Sequence, residues 1–527
     1  MRDIARRAWA VGAFALALGG CMIGPSFKSP PATVADAWPN GSDPAVDTAR
    51  QEYRDWWRVF DDPVLDRLIE LAYAQNLPLR MAGVRVLQSR AQLGLAIGEL
   101  YPQQQQLVAS YSVNRIPASL PYNIVNNTYQ QAFLGAQAAW EIDLWGKVRR
   151  AIESADNAFL ASVADYDDVL VTLTGDVAST YVQIRTLERR IAIARDNVAK
   201  QREALRIASN RFRGGVVSQR DVFQAENSLG ETEAAIPALT IELDQSKNAL
   251  ALLLGMPPGE VDQLLGASSE IPVAPPRIAV GIPAELLRRR PDIRKAQLSA
   301  AAQCSQIGVA KADLLPALTL VGNVGTLSSD VTKANLGDLF SSKSLTYGVG
   351  PTLQWSILNY GQITNNVRVQ DARFQELLID YQNAVLSAQK EVANGMSVFL
   401  RSRDQVVYLQ QSAQAAEGAL TVAMNQYTQG IADFTTVLVA EQNLYQADDN
   451  LAVARGNVPL GLIAAYRALG GGWQIREGRE IVPADIREEM EERTNWGTLA
   501  TPDLLTPAAP PLPGPEDTGP TVRPPEW

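Results

Sequence analysis

The sequence predicts a mainly α-helical protein with a membrane β-barrel, assembled from tandem-duplicated units of strand, strand and long-helix hairpin. Three observations predict it. The chain repeats itself at one offset, each copy holds two stretches that alternate apolar with polar or small residues, and each pair of such stretches leads into a long run without proline. Periods of two and of three to four mark strands and helices respectively.

The repeat comes first because every other element is read twice through it. Trp140 matches Trp355 at an offset of 215, and so do Gly146 and Gly361, Phe159 and Phe374, Gly215 and Gly430, Glu226 and Glu441, and Gly255 and Gly470. Upstream the offset is 214, which aligns Leu100-Tyr101-Pro102 with Leu314-Leu315-Pro316. Chance cannot keep one register over such a length.

The amino terminus reads as an export signal: Arg2, Arg6 and Arg7, then an apolar run from Ala8 to Leu18. Leu18-Gly19-Gly20-Cys21 resembles a bacterial lipobox, which makes Cys21 the expected lipid-attachment residue; the alternative is an ordinary secretory cleavage site with an incidental cysteine. Met22, rather than Asp, follows it, so the inner-membrane retention signal of such lipoproteins is missing. Removing residues 1–20 deletes three Arg and one Asp and takes the formal charge from −10 to −12, which disfavours nucleic acid as a partner.

The domain boundaries follow: 1–20 signal peptide, 21–59 anchor segment, 60–261 first repeat, 262–281 linker, 282–472 second repeat, and 473–527 an acidic, Pro-rich tail expected to be disordered. In the first repeat, Leu107, Ala109, Tyr111 and Val113 form one face of a strand, and Ala132, Leu134, Ala136, Ala138 and Trp140 one face of the next. In the second, Leu345, Tyr347, Val349, Pro351, Leu353 and Trp355 stand opposite Thr346, Gly348, Gly350, Thr352 and Gln354. The connections around 114–127 and 328–343 are rich in Asn and Ser and read as exposed loops.

Trp140 and Trp355 end these strands and read as membrane-interface aromatics, with Gly146 and Gly361 turning the chain into a helix. From Lys147 to Arg213 and from Gln362 to Gln429 there is no proline, and apolar residues recur by threes, fours and sevens. Each run closes at a glycine turn, and Ser218 and Asp433 are placed to cap the return helices. Helices are also expected before Pro102 and Pro316.

Four strands with an apolar face cannot end in hydrocarbon with open edges, so closure requires further copies of the chain. The chain has no histidine and no recognisable nucleophile, phosphate or metal motif, so an enzyme is not expected. Of the two cysteines, Cys304 reads as a small core residue.

Two segments then carry a resemblance. Ile282 to Gln297, IPAELLRRRPDIRKAQ, followed by IGVAKADLLPALTL from Ile307, is similar to the signature of the outer-membrane factors of the TolC, OprM and NodT type; Asp61 to Asn76 and Cys21 to Pro30 match that family's start. The resemblance implies a homotrimer with a twelve-strand barrel in the outer membrane of a Gram-negative bacterium and a helical barrel in the periplasm. It implies an exit duct of an RND-type tripartite efflux pump, with a periplasmic adaptor and an inner-membrane transporter as partners, and no cofactor beyond the lipid on Cys21.

By position, the adaptor-contacting tips are Gly215, Val216 and Val217 and Gly430, Ile431 and Ala432, and the periplasmic aperture involves Asp221, Tyr427, Thr435, Thr436 and Val439. Relatives often carry acids where this chain has Thr436 and Val439, so closure by Thr435 and Val439 is expected to be apolar, with Asp221 as the remaining carboxylate. Glu226 and Glu441 read as solvated or hairpin-stabilising. Competing readings are a type I secretion exit channel and, with less support from the duplicated strands, a periplasmic adaptor or a structural coiled-coil lipoprotein.

Overall fold

The computed structural model describes residues 22–48, 53–117, 128–266, 270–283, 289–330 and 336–501. Cys21, the export signal and the tips of both strand-connecting loops lie outside these residues. Short β1 (Val46–Asp47) precedes α1 (Pro63–Gln75) and α2 (Leu77–Gly98). Then come β2 (Gln104–Arg115), β3 (Thr128–Ile142), the 67-residue α3 (Lys147–Arg213) and α4 (Gln219–Leu253). The linker holds α5 (Val261–Leu265) and β4 (Ile278–Ala279). The second copy supplies α6 (Pro291–Ala312), β5 (Ala317–Ser329), β6 (Leu345–Gln354), α7 (Gln362–Thr428, again 67 residues) and α8 (Phe434–Ala468), and α9 (Ala484–Arg493) follows it.

Both copies take the same fold for the same local reasons. Gly146 and Gly361 sit at φ 77° and 83°, a left-handed conformation that only glycine adopts without strain, and this turns each sheet strand into its long helix. Ser218 accepts a bond from Arg220 N, and Asp433 from Thr436 N, as helix caps. At about 1.5 Å per residue each long helix reaches roughly 100 Å, far beyond a membrane's hydrocarbon thickness. No helix among the described residues is long and apolar enough to cross a membrane.

The sheet order is β2-β3-β5-β6, all antiparallel, so the two copies meet at β3 and β5. Register fixes its faces. One row reads Leu107, Ala136, Val324, Tyr347; the next, one residue along, reads Gln106, Gln137, Asn323, Gly348. Leu107, Tyr347 and Val349 are 86, 77 and 79% exposed, so the apolar face covers no core of its own chain.

The main core lies where the helices cross. Leu65, Leu68, Leu170, Val177, Ile184, Val392, Phe399 and Leu462 are all buried there. Backbones approach closely at glycines: a Cβ on Gly461 would stand 2.5 Å from Phe399 N, and one on Gly395 2.6 Å from Ala465 N.

The carboxyl-terminal expectation fails for residues 473–501. Trp473–Arg476 forms a 3-10 turn, α9 follows, and Ile475, Ile481 and Val482 join the main core. Arg476 bonds both carboxylate oxygens of buried Asp167, and Arg479 stacks over Tyr73 at 4.9 Å. The segment's charge disguised its few apolar anchors. Residues 502–527 lie outside the described residues.

Gly461→Val is expected to destabilise the protein by about 1–3 kcal/mol, because its methyls meet α7 backbone that cannot yield. Thermal melting in detergent measures it; an unchanged midpoint would contradict the close crossing.

Candidate functional site

The first hairpin closes with Gly214 N on Asn210 O, Gly215 N on Phe212 O and Val216 N on Arg211 O. The second repeats it 215 residues on, with Gln429 N on Asn425 O, Gly430 N on Tyr427 O and Ile431 N on Gln426 O. Both are helix ends wound shut by a left-handed glycine, Gly215 at φ 73° and Gly430 at 78°. Val216 and Ile431 project beyond the glycines, 65 and 70% exposed, whereas Val217 leans on the tip core and Ala432 is half-buried.

Behind these tips the two hairpins are joined by one aromatic residue. Tyr427 is buried on α7, its ring edge-on to Phe434 at 5.3 Å and beneath the Arg211 guanidinium at 4.4 Å. Its hydroxyl donates to Asp221 Oδ2 at 3.4 Å, and Arg220 reaches Asp221 Oδ1 at 3.8 Å. Burial, then the Asp221 carboxylate, pushes the Tyr427 hydroxyl up to about 12, so it stays a donor at any physiological pH. A cation over a desolvated ring contributes about 1–2 kcal/mol. Arg211 and Phe434 were not among the sequence candidates. Their signal was spacing alone: Arg211 lies one turn before the glycine and Phe434 directly follows the Asp433 cap.

The structure thus brings Asp221 and Tyr427 together but leaves Thr435, Thr436 and Val439 on exposed surface of α8. Thr436 serves the cap, its hydroxyl donating to Asp433 Oδ1 at 2.8 Å. Asp221, the carboxylate expected at the aperture, is 5% exposed beneath Tyr427. Glu441, expected to be solvated or hairpin-stabilising, is 1% exposed, while its copy Glu226 is exposed. Among the described residues no group of three or more Cys, Asp or Glu could hold a metal ion.

At the other end of the long helices, the two strand-ending tryptophans make equivalent bonds. Trp140 Nε1 donates to Leu100 O at 3.2 Å and Trp355 Nε1 to Leu314 O at 3.0 Å, tying each sheet strand to the helix before it. The segment after Cys21 lies against this junction: Ile23 N donates to Trp145 O, and a Cβ on Gly146 would stand 3.0 Å from Met22 Cα. It continues along α6 and α7, where Gly24 meets Gly308, Phe27 meets Phe374, and Gln389 holds Ala35 N and Thr33 O.

Gly215 has open space around its Cβ position, so Gly215→Ala tests backbone alone. It is expected to cost about 1 kcal/mol, read by thermal melting, and Gly215→Asn less, because asparagine tolerates the left-handed region.

The geometry agrees with known proteins. The family model described as outer membrane efflux protein matches residues 68–256 and 282–471, one match per repeat. The pyoverdine export outer membrane protein OpmQ of Pseudomonas putida is 30% identical over 469 residues, 87% of this chain and 97% of that one. Nodulation protein T of Rhizobium leguminosarum bv. trifolii is 28% identical over 84% of this chain and 92% of its own length. The solved outer-membrane channel OprN superposes with a TM-score of 0.80 at 32% identity, covering 86% of this chain and all of that one. A sheet with one greasy and one wet face, carried twice on long hairpins, and a match to both repeats lead to one assignment: the chain belongs to the outer membrane efflux protein family.

Proposed function

We propose that three copies of this chain close β2 against β6 into a twelve-strand barrel and serve as the exit duct of a tripartite pump for small toxic compounds. The observation that carries this is the pair of adjacent rows, Leu107-Ala136-Val324-Tyr347 toward lipid and Gln106-Gln137-Asn323-Gly348 toward a wet lumen. In sheet order the strands alternate up and down, so β2 of one copy meets β6 of the next antiparallel, as every other pair in the sheet does.

The helical hairpins extend the duct into the periplasm, where Val216 and Ile431 meet an adaptor that links it to an inner-membrane transporter. Export in the name of OpmQ supports small-compound cargo over a secreted protein. Cys21 carries the lipid, since Met22 sits at the strand–helix junction and acyl chains on the preceding residue would start at the membrane face. The duct closes at the tips, Tyr427 with Arg211 and Asp221 holding the hairpins together, and Thr435 and Val439, one helical turn apart on exposed surface, narrowing the axis.

Purified protein is expected to run as a trimer in detergent and to conduct ions in planar bilayers; a lone, non-conducting subunit would sink the proposal. Gene deletion should sensitise cells to apolar toxicants, whereas loss of a secreted protein without such sensitivity would replace efflux by secretion. Cys21→Ser should abolish incorporation of labelled palmitate. The pair Arg211→Ala with Tyr427→Phe removes about 1.4 kcal/mol or more of closing interaction and should raise open probability about tenfold. Conductance unchanged in both Val439→Ala and Thr435→Ala would remove those residues from the constriction.

A further inference from the structure

The hairpin seams follow a heptad. On α8 the buried positions near the tip are Phe434, Val437, Ala440, Glu441 and Leu444; Phe434, Val437, Glu441 and Leu444 are spaced three, four and three, so a carboxylic acid occupies a core position that an apolar residue would normally fill. On α3 the corresponding buried positions are Asn197, Val198, Gln201, Ala204 and Ala208. Glu441, Asn197 and Gln201 are exposed by only 1, 1 and 2%.

These polar side chains lie within about one helical turn of one another along the hairpin. The Arg190–Asp449 ion pair, 2.7 Å, pins the antiparallel helices α3 and α8 together. Asn197 lies seven residues from Arg190 toward the tip and Glu441 eight from Asp449, about 10 and 12 Å along the two axes. Gln201 Nε2 donates to Ser228 Oγ at 3.2 Å, which brings α4 into the same layer. Within it, Glu441 Oε1, both Asn197 side-chain atoms and Gln201 Oε1 make no hydrogen bond among the described residues. Buried polar atoms in that condition cost free energy until a donor and an acceptor meet.

We infer that Glu441, Asn197 and Gln201 form a proton-binding site inside the hairpin bundle, and that a proton taken up there holds the second hairpin closed against the first. A protonated carboxyl supplies the donor the layer lacks, toward an amide oxygen of Asn197 or Gln201. An ionised one is left buried without a cation.

No charged side chain of the surrounding helices substitutes for that proton. On α3, Arg195, Arg202 and Glu203 are exposed, and half-buried Lys200 pairs with Asp196 at 2.7 Å. Glu226, Glu231 and Glu233 on α4 and Glu417 on α7 are exposed acids, and Asp448 on α8 lies two turns farther from the tip. Accordingly, burial is the one cause that pushes the Glu441 carboxyl up, to about 7 from an ordinary 4.5. The direction of the linkage follows. The closed bundle binds more protons than one in which Glu441 is hydrated, so closure is favoured at low pH, weakens as pH rises from about 4.5 through 7, and changes no further above that.

The inference rests on the duct reading, and two measurements separate their failures. In planar bilayers, open probability of the wild-type trimer should rise on the order of tenfold from pH 5.5 to 8. Glu441→Gln, which keeps the shape and a donor, should stay at the low-pH level throughout. In detergent, the melting midpoint of wild type should fall over the same range relative to Glu441→Gln. Parallel pH profiles of the two proteins in either measurement would overturn the proton site and leave the layer a device that fixes helix register, with the channel reading intact. Absence of any conductance would count against the duct, and melting would still decide the site.

Discussion

The outer edges of β2 and β6 present a row of backbone donors and acceptors with no strand beside them among the described residues. Hydrocarbon tolerates no such row, because each unsatisfied group costs several kcal/mol and water is not there to substitute. The rest of the architecture answers that demand. β6 is ten residues, the length that crosses a bilayer when tilted, and β3 is fifteen, long enough to emerge on both sides. The apolar row can be exposed in the isolated chain only because lipid covers it in the membrane. The sheet therefore specifies assembly before any helix contact is considered.

The helices must then hold the sheet in line with the hairpins. A hinge at each junction would let a 67-residue lever swing, and three kinds of contact oppose this. The Trp140 and Trp355 indoles donate to the carbonyls that end the preceding helices, Lys147 pairs with Asp313 at 2.7 Å, and Trp145 donates to Pro316 O. Outside them, the segment from Met22 onward is threaded so tightly that Gly24 and Gly308 touch backbone to backbone. A side chain at either position would push this strap off the helices.

Sequence alone made the architecture legible because duplication let each element be read twice. Lys147 to Arg213 emerged as one helix with the bounds its proline-free run suggested, and both caps and both left-handed glycines followed from residue type. What stayed hidden depended on helix pairing. Asp221 and Glu441 look alike in sequence, acids on amphipathic helix near a tip, yet both are buried, Asp221 beneath Tyr427, 206 positions away. Charge patterning cannot register such a partner. The same blindness affected residues 473–501, where Arg476 and Asp167 neutralise each other across 309 positions.

Duplication also permits what a chain with one hairpin could not have. In a ring of identical hairpins every seam would carry the same side chains. Here Arg211 and Asp221 belong to the first copy, and their positions in the second hold Gln426 and Thr436; Tyr427 and Phe434 belong to the second, and their positions in the first hold Phe212 and Gln219. The seam within a chain thus has a cation over a buried ring and a carboxylate under its hydroxyl. In the ring proposed above, the seam between chains would face Gln426 and Thr436 toward Phe212 and Gln219, with neither charge available. Interactions of about 1–2 kcal/mol present in one seam and missing from the other are enough to decide where separation starts. Glu441 follows the same division in the single chain: it is buried, while Glu226, whose matching seam in the proposed ring lies between chains, is exposed. The two copies share a backbone, and the differences between them distinguish the seam within a chain from the proposed seam between chains.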